Sequence, residues 1–164
     1  MIHHAIQGNL KKEYQNIYNR QKLLIAKYDQ YLHQSTGPHY LKQPKIARQV
    51  CSAMRHLDQK KYDLVCFCVM SNHAHILFTP LEISEGEYHS IERIMHSIKS
   101  YTANKANKIL NRIGKPFWNH ESFDHYSRSD EETERIAAYI LNNPVKAGFV
   151  ETPEEWEWSY FKYW

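Results

Sequence analysis

The chain has 164 residues, of which 42% are hydrophobic and 24% charged, and its formal net charge at pH 7 is +3. This length predicts one domain with an ordinary core, and no apolar run approaches the roughly 18 residues of a membrane span. The small positive charge permits a polyanionic partner without requiring one. No signal peptide is evident, and Cys51, Cys66 and Cys68 form no CxxC pair, so a reducing, cytoplasmic setting is predicted.

The first part of the chain predicts two helices joined by a loop. From Asn9 to about His33, apolar residues recur at helical spacing in an otherwise very polar segment. The connection over residues 34–44 contains one glycine and two prolines. A second helix is predicted from Lys45 to Asp58, with its apolar residues along one stripe.

Two strands follow in a predicted antiparallel pair. Tyr62–Met70 is apolar on both faces of its centre, which is typical of a central strand. Ser71 and Asn72 are turn-prone, so His73–Thr79 can return alongside it. The segment Leu81–Glu87 predicts an acidic loop.

The second strand carries a candidate metal site. Side chains alternate along a strand, so His73 and His75 point to the same side, roughly 6.6 Å apart. Two imidazoles at this spacing suit a divalent ion, although two polar residues on an open strand face would give the same pattern. Cys66 and Cys68 also share a face, as partners in a joint zinc site or as two buried thiols.

A long helix is predicted from Ser90, as its N-cap, to about Asn111. Its predicted buried face comprises Ile91, Ile94, Ile98, Tyr101 and Ile109. Positive charges and an aromatic ring suited to unstacked bases make a candidate DNA-binding set of Lys99, Tyr101, Lys105 and Lys108. A solvated helix surface would show the same residues, so both interpretations stay open.

The last third of the chain predicts a strand, a helix and a packed tail. The aromatic content of Phe117–Tyr126 favours a strand. Ser129 and Glu132 form a capping-box pattern ahead of an apolar run, and the helix must end near Asn143 because Pro144 follows. The tail from Trp156 onward is too aromatic for a solvated terminus, so it is predicted to pack on the domain.

In that last helix, Tyr139 and Asn143 are four residues apart and share a face. Tyr139 lies at the edge of the apolar stripe that Ile136 and Ile140 define. A packing tyrosine and an asparagine that caps the next turn would explain both residues equally well.

Five segments resemble the REP-associated tyrosine transposases, relatives of the insertion-sequence transposases of the HUH single-tyrosine type, and the whole match runs in order from about Lys22 to Ser159. They are His73-Ala74-His75, Ser97 to Thr102, Phe117-Trp118 with Phe123-Asp124-His125, Tyr139 to Gly148, and Trp156 to Ser159.

The resemblance implies a single α/β domain over residues 1–164, with helices packed on a ferredoxin-like antiparallel sheet. It also implies an enzyme that cuts and rejoins single-stranded DNA, at hairpin or repeat sequences, with a divalent metal ion, Mg²⁺ or Mn²⁺. Matched position by position, His73, His75 and Asn143 would bind the metal and Tyr139 would be the nucleophile. Related enzymes include monomers and homodimers.

Two features of the sequence depart from the family pattern. Ser71 stands where relatives usually carry proline, and no strand is evident before Asn9, where the family begins with one. An alternative function is therefore a module that binds hairpin or single-stranded DNA without cutting it. A hydrolytic metalloenzyme acting on a small substrate is a weaker alternative, because the basic helix and Tyr139 favour DNA chemistry.

Overall fold

One buried strand, β1 (Tyr62–Val69), forms the centre of the structure. The computed structural model describes Lys27 and residues 37–119 and 124–164, and residues 37–164 form one compact unit. Apart from Lys27, the helix predicted over residues 9–33 lies outside the described residues, as does the segment before Asn9, where the sequence shows no strand. One domain over residues 1–164 therefore stays a prediction.

The sheet is antiparallel, as predicted. β1 pairs with β2 (Ala74–Pro80) through the turn at Ser71 and Asn72, and on its other edge with β5 (Ser159–Phe161). The order of the three strands is β2-β1-β5. With helices packed on this sheet, the mixed α/β fold class is confirmed.

Two helices cover one face of the sheet. Helix α1 (Pro44–His56) begins with a proline in its first turn, where a missing N–H costs nothing. Helix α2 (Ile91–Ile109) begins at Ser90, whose Oγ accepts from the backbone N–H of Arg93 at 3.3 Å. Both helices join β1 in an apolar core that includes Ile46, Val50, Met54, Leu64, Phe67, Val69, Ile94 and Ile98.

Helix α3 (Asp130–Leu141) covers the opposite face. Its apolar side chains pack with three side chains of the β1 region, Cys66, Cys68 and Met70, so the two thiols are buried. Ser129 caps the helix by accepting from the N–H of Glu132 at 3.2 Å. The short helix α4 (Asn143–Lys146) follows directly.

Glu132 completes the start of α3 in a way that differs from the predicted capping box. Its carboxylate accepts from the backbone N–H of Arg128 at 2.8 Å and from Nε2 of His125 at 2.9 Å. Burial raises the pKa of this carboxyl, but the hydrogen bonds and positive charges of His125 and Arg128 outweigh it, so the pKa is lowered overall.

The aromatic tail packs on the sheet, as predicted. Trp156 donates its indole N–H to the carbonyl of Val69 at 3.0 Å, and β5 follows three residues later. Tyr163 and Trp164 are nevertheless exposed.

The acidic loop predicted over 81–87 is wrong. Two very short strands, β3 (Glu82–Ser84) and β4 (Glu87–Tyr88), pair antiparallel there. Gly86 lies at the turn with a φ of +77°, a conformation that glycine adopts without steric cost. A hairpin this short and polar has no alternating apolar pattern to reveal it.

The strand predicted over 117–126 is wrong wherever the segment is described. Neither residues 117–119 nor 124–126 belong to a strand. The indole N–H of Trp118 donates instead to Oγ1 of Thr102 at 2.9 Å, so Trp118 attaches the beginning of this segment to α2.

The buried face of α2 also differs from the prediction, because Tyr101 and Ile109 are 48% and 38% exposed. The buried stripe continues from Ile98 through Thr102 and Ala106. None of the described helices is long and apolar enough to cross a membrane; the cytoplasmic location stays a prediction.

Candidate active site

The two histidines of the HxH pattern lie side by side at the beginning of β2. His75 is paired with Cys68 on β1, and directly paired residues share a sheet face, so His75 lies on the face that α3 covers. His73 precedes the strand and is buried. Their ring centroids are 5.0 Å apart with the planes at 88°, and Nε2 of each ring is shielded from solvent.

Asn72 contacts one nitrogen of the His73 ring. Nδ1 of His73 lies 2.8 Å from Oδ1 of Asn72, and an amide oxygen can only accept, so Nδ1 carries the proton. In the neutral ring, Nε2 then holds the lone pair that a metal ion needs. Sequence reasoning treated Asn72 as a turn residue only, and its position beside the first histidine was the available signal.

Tyr139 projects from α3 toward the histidines. Its ring centroid lies 6.5 Å from that of His75, with the planes at 82°. The side chain is half-buried and packs against the cluster beneath α3. The structure therefore places His73, His75 and Tyr139 in one neighbourhood.

Asn143 begins α4, one turn after Tyr139, and is buried. Its Nδ2 donates to the carbonyl of Tyr139 at 3.1 Å and to that of Ile140 at 3.4 Å. Because the amide nitrogen is directed at the end of α3, Oδ1 is the atom of this side chain able to act as a ligand.

The side-chain chemistry of His73, His75 and Asn143 suits a hard or borderline divalent ion. Two imidazole nitrogens and one amide oxygen match the ligands that such ions accept. The cysteines fit less well, since burial raises the pKa of Cys66 to about 12 and that of Cys68 to about 11, which keeps both as thiols at neutral pH. In the described part of the chain, no three His, Cys, Asp or Glu side chains group as metal ligands.

The four residues predicted to bind DNA lie on α2, across the sheet from this site. Lys99 donates to the carbonyl of Asn119 at 3.3 Å, whereas Nζ of Lys105 lies 5.5 Å from the ring centroid of the exposed Tyr101. Lys108 is exposed. Since α2 and α3 cover opposite faces, these side chains do not join the histidines and Tyr139.

A second residue that sequence reasoning missed is Lys146. Its Nζ lies 4.1 Å from the centroid of the Tyr139 ring. The signal was spacing, because a residue seven positions along a helix lies on nearly the same face.

Comparison with known proteins places the chain in a family. Residues 18–143 match the family described as "Transposase IS200 like". The chain belongs to the IS200-like transposases. His73, His75, Tyr139 and Asn143 all fall within the matched range, whereas Lys146 and β5 lie beyond it.

One relative of the chain is a Haemophilus influenzae protein named as a REP-associated tyrosine transposase. The two are 26% identical over 109 residues, which cover 61% of this chain and 59% of the relative. The chain thus spans less than two thirds of that relative's length. No solved structure gives a significant match. Together with family membership, this relative confirms the resemblance that the motifs indicate.

Proposed function

We propose that this IS200-like transposase cuts and rejoins single-stranded DNA, at hairpin or repeat sequences, with Tyr139 as the nucleophile and a divalent metal ion as cofactor. The observation that carries the proposal is the placement of the Tyr139 ring 6.5 Å from His75, whose own ring lies 5.0 Å from that of His73. A candidate nucleophile thus stands beside a candidate metal site.

The reaction is a transesterification. The Tyr139 hydroxyl loses its proton and its oxygen forms a bond to the phosphorus of a DNA phosphodiester, while the bond from phosphorus to the 3′ oxygen breaks. The 3′ oxygen takes up a proton, and the 5′ phosphate stays attached to the tyrosine. Attack by a 3′-OH on this ester rejoins a strand and restores the tyrosine.

His73 and His75, through Nε2, and Asn143, through Oδ1, would hold the metal, for which we propose Mg²⁺ or Mn²⁺. When bound, such an ion stabilises negative charge on a phosphate as a Lewis acid. The hydrogen bond from His73 to Asn72 supports this assignment, because it leaves Nε2 as the ligand atom.

The basic surface of α2 supports DNA as the substrate. Tyr101 offers an aromatic face for an unstacked base, and Lys105 and Lys108 offer charges for phosphates. Because α2 covers the other side of the sheet, these residues would hold DNA away from the scissile phosphate. Binding to this surface should weaken as salt is added.

Replacement of Tyr139 by phenylalanine tests the proposal. Wild-type protein incubated with labelled single-stranded oligonucleotides and Mg²⁺ or Mn²⁺ should form a covalent adduct that survives denaturing electrophoresis. Tyr139→Phe should form none, because it lacks the attacking oxygen. DNA binding should persist, and the free energy of unfolding should change by about 1 kcal/mol or less, the contribution of one hydroxyl hydrogen bond.

Tyr126→Phe is the matched control. Tyr126 is 67% exposed, so this substitution should leave adduct formation unchanged. An adduct that persists in Tyr139→Phe would assign the nucleophile to another tyrosine. If wild-type protein binds hairpin DNA but forms no adduct with either metal, the chain is a binding module without cleavage activity.

A further inference from the structure

The side chain of Lys146 lies over the ring of the proposed nucleophile. Its Nζ is 4.1 Å from the Tyr139 ring centroid, within the range of a cation–π contact. The residue itself is exposed, so Lys146 lies at the protein surface.

This contact follows from the path of the backbone at the end of α3. The N–H of Asn142 donates to the carbonyl of Ala138 and that of Lys146 to the carbonyl of Asn142, so helical turns continue from α3 into α4. Tyr139, Asn143 and Lys146 therefore share one stripe, and helical side chains tilt toward the N-terminus. The lysine extends back over the tyrosine for this reason.

We propose that Lys146 is a phosphate-binding residue of the DNA site, holding the phosphate that becomes esterified to Tyr139. The proposal rests on the function proposed above. An ammonium over the ring is also close to the hydroxyl of that ring, where the phosphate must lie for attack. The phosphate gains negative charge during the displacement, and a lysine binds such charge as a compact cation.

Other lysines are less suited to this role. The α2 lysines are on the other side of the sheet from Tyr139. Lys146 contacts the Tyr139 ring and is exposed at the protein surface.

The first experiment measures single-turnover cleavage at saturating oligonucleotide. Lys146→Met keeps most of the side-chain length and removes the charge, so the rate should fall about 10- to 100-fold, as for loss of one charge-assisted contact. Lys146→Arg should restore most of the rate. Lys45→Met, which removes an exposed charge from the first turn of α1, should match wild type.

The second experiment measures binding without cleavage, in a Tyr139→Phe background. An oligonucleotide with a 5′ phosphate should bind about 5- to 10-fold more tightly than the same strand with a 5′ hydroxyl, and adding Lys146→Met should remove this preference. Thermal unfolding of each variant confirms that the fold is retained.

A 5′-phosphate preference that survives Lys146→Met overturns the proposal, as does a cleavage rate that Lys146→Met leaves unchanged. The two proposals are separable. If no variant forms an adduct but the preference depends on Lys146, the phosphate site stands and strand transfer by Tyr139 is rejected.

Discussion

The two faces of the sheet use the same strands for different purposes. Toward α1 and α2, β2 presents Ala74, Ile76 and Phe78 to a continuous apolar core. Toward α3 it presents Leu77 to a smaller apolar cluster and His75 to Tyr139. One face therefore secures the strand, and the other carries the chemical groups.

This division explains how a site can lie on the small sheet of β1, β2 and β5 and still be held in place. Ala74, Ile76 and Phe78 pack against the larger core, so the strand has little freedom to shift or rotate. The backbone of His75 is held by the same packing, although its side chain lies on the other face. Catalytic groups need such support to keep a productive geometry.

The largest effect on stability is expected from the larger core. The Phe67 side chain, on β1, is fully buried in this core. Phe67→Ala should therefore lower the free energy of unfolding by about 3–5 kcal/mol. Urea denaturation measures the change. Ile83→Ala is the control, because Ile83 is 56% exposed and its loss should change stability by about 0.5 kcal/mol or less. Similar values for the two variants would contradict the assignment of the core.

An intermediate effect is expected where the site meets its supporting residues. Asn72→Ala removes the acceptor that orients the His73 ring, and loss of such a partner lowers metal affinity about 10- to 100-fold. Titration with Mn²⁺ measures this change. Asn119→Ala, at an exposed position, should bind Mn²⁺ as wild type does. Unchanged affinity in Asn72→Ala would remove Asn72 from the site.

The smallest effect is a dependence of stability on pH at the start of α3. The pKa of Glu132 is lowered in the folded protein. The stabilising contribution of this carboxylate is therefore fully present at pH values above its unfolded-state pKa, and it is lost as pH falls through its folded-state pKa. The stability difference between wild type and Glu132→Gln, measured by urea unfolding from about pH 7 to about pH 3, should therefore shrink. Glu134→Gln, at an exposed position, should show no such trend. A difference that stays constant would contradict the role of Glu132.

Sequence patterns were most informative where periodicity and end signals agree. The hairpin of β1 and β2 follows from one continuous apolar run, a turn and a second run. Helix α2 begins at Ser90 as expected. For α3, Ser129 marks the beginning, and the helix ends at Leu141, two residues before the predicted Asn143. These signals act over a few residues, so a single sequence is enough to reveal them.

Other features depend on tertiary contacts that carry no local signal. The aromatic residues around Trp118 read as a strand, but the indole bonds to Thr102 and the segment joins a helix. Helical spacing predicts that Tyr101 is buried, yet Tyr101 is exposed and Thr102 is buried instead. Pro144 predicts the end of a helix near Asn143, whereas the turns continue into α4, so the approach of Lys146 to Tyr139 runs against the local signal.

The edge of β1 that pairs with β5 has a consequence for synthesis of the chain. About 95 residues separate Cys66 from its partner Phe161. Ribosomes add about 5–20 residues per second, so β5 follows β1 after an interval on the order of 5 to 20 seconds. During that time the backbone of β1 presents an open edge, which can pair with a strand of another nascent chain. Rapid production of this protein should therefore favour aggregation before β5 pairs with β1.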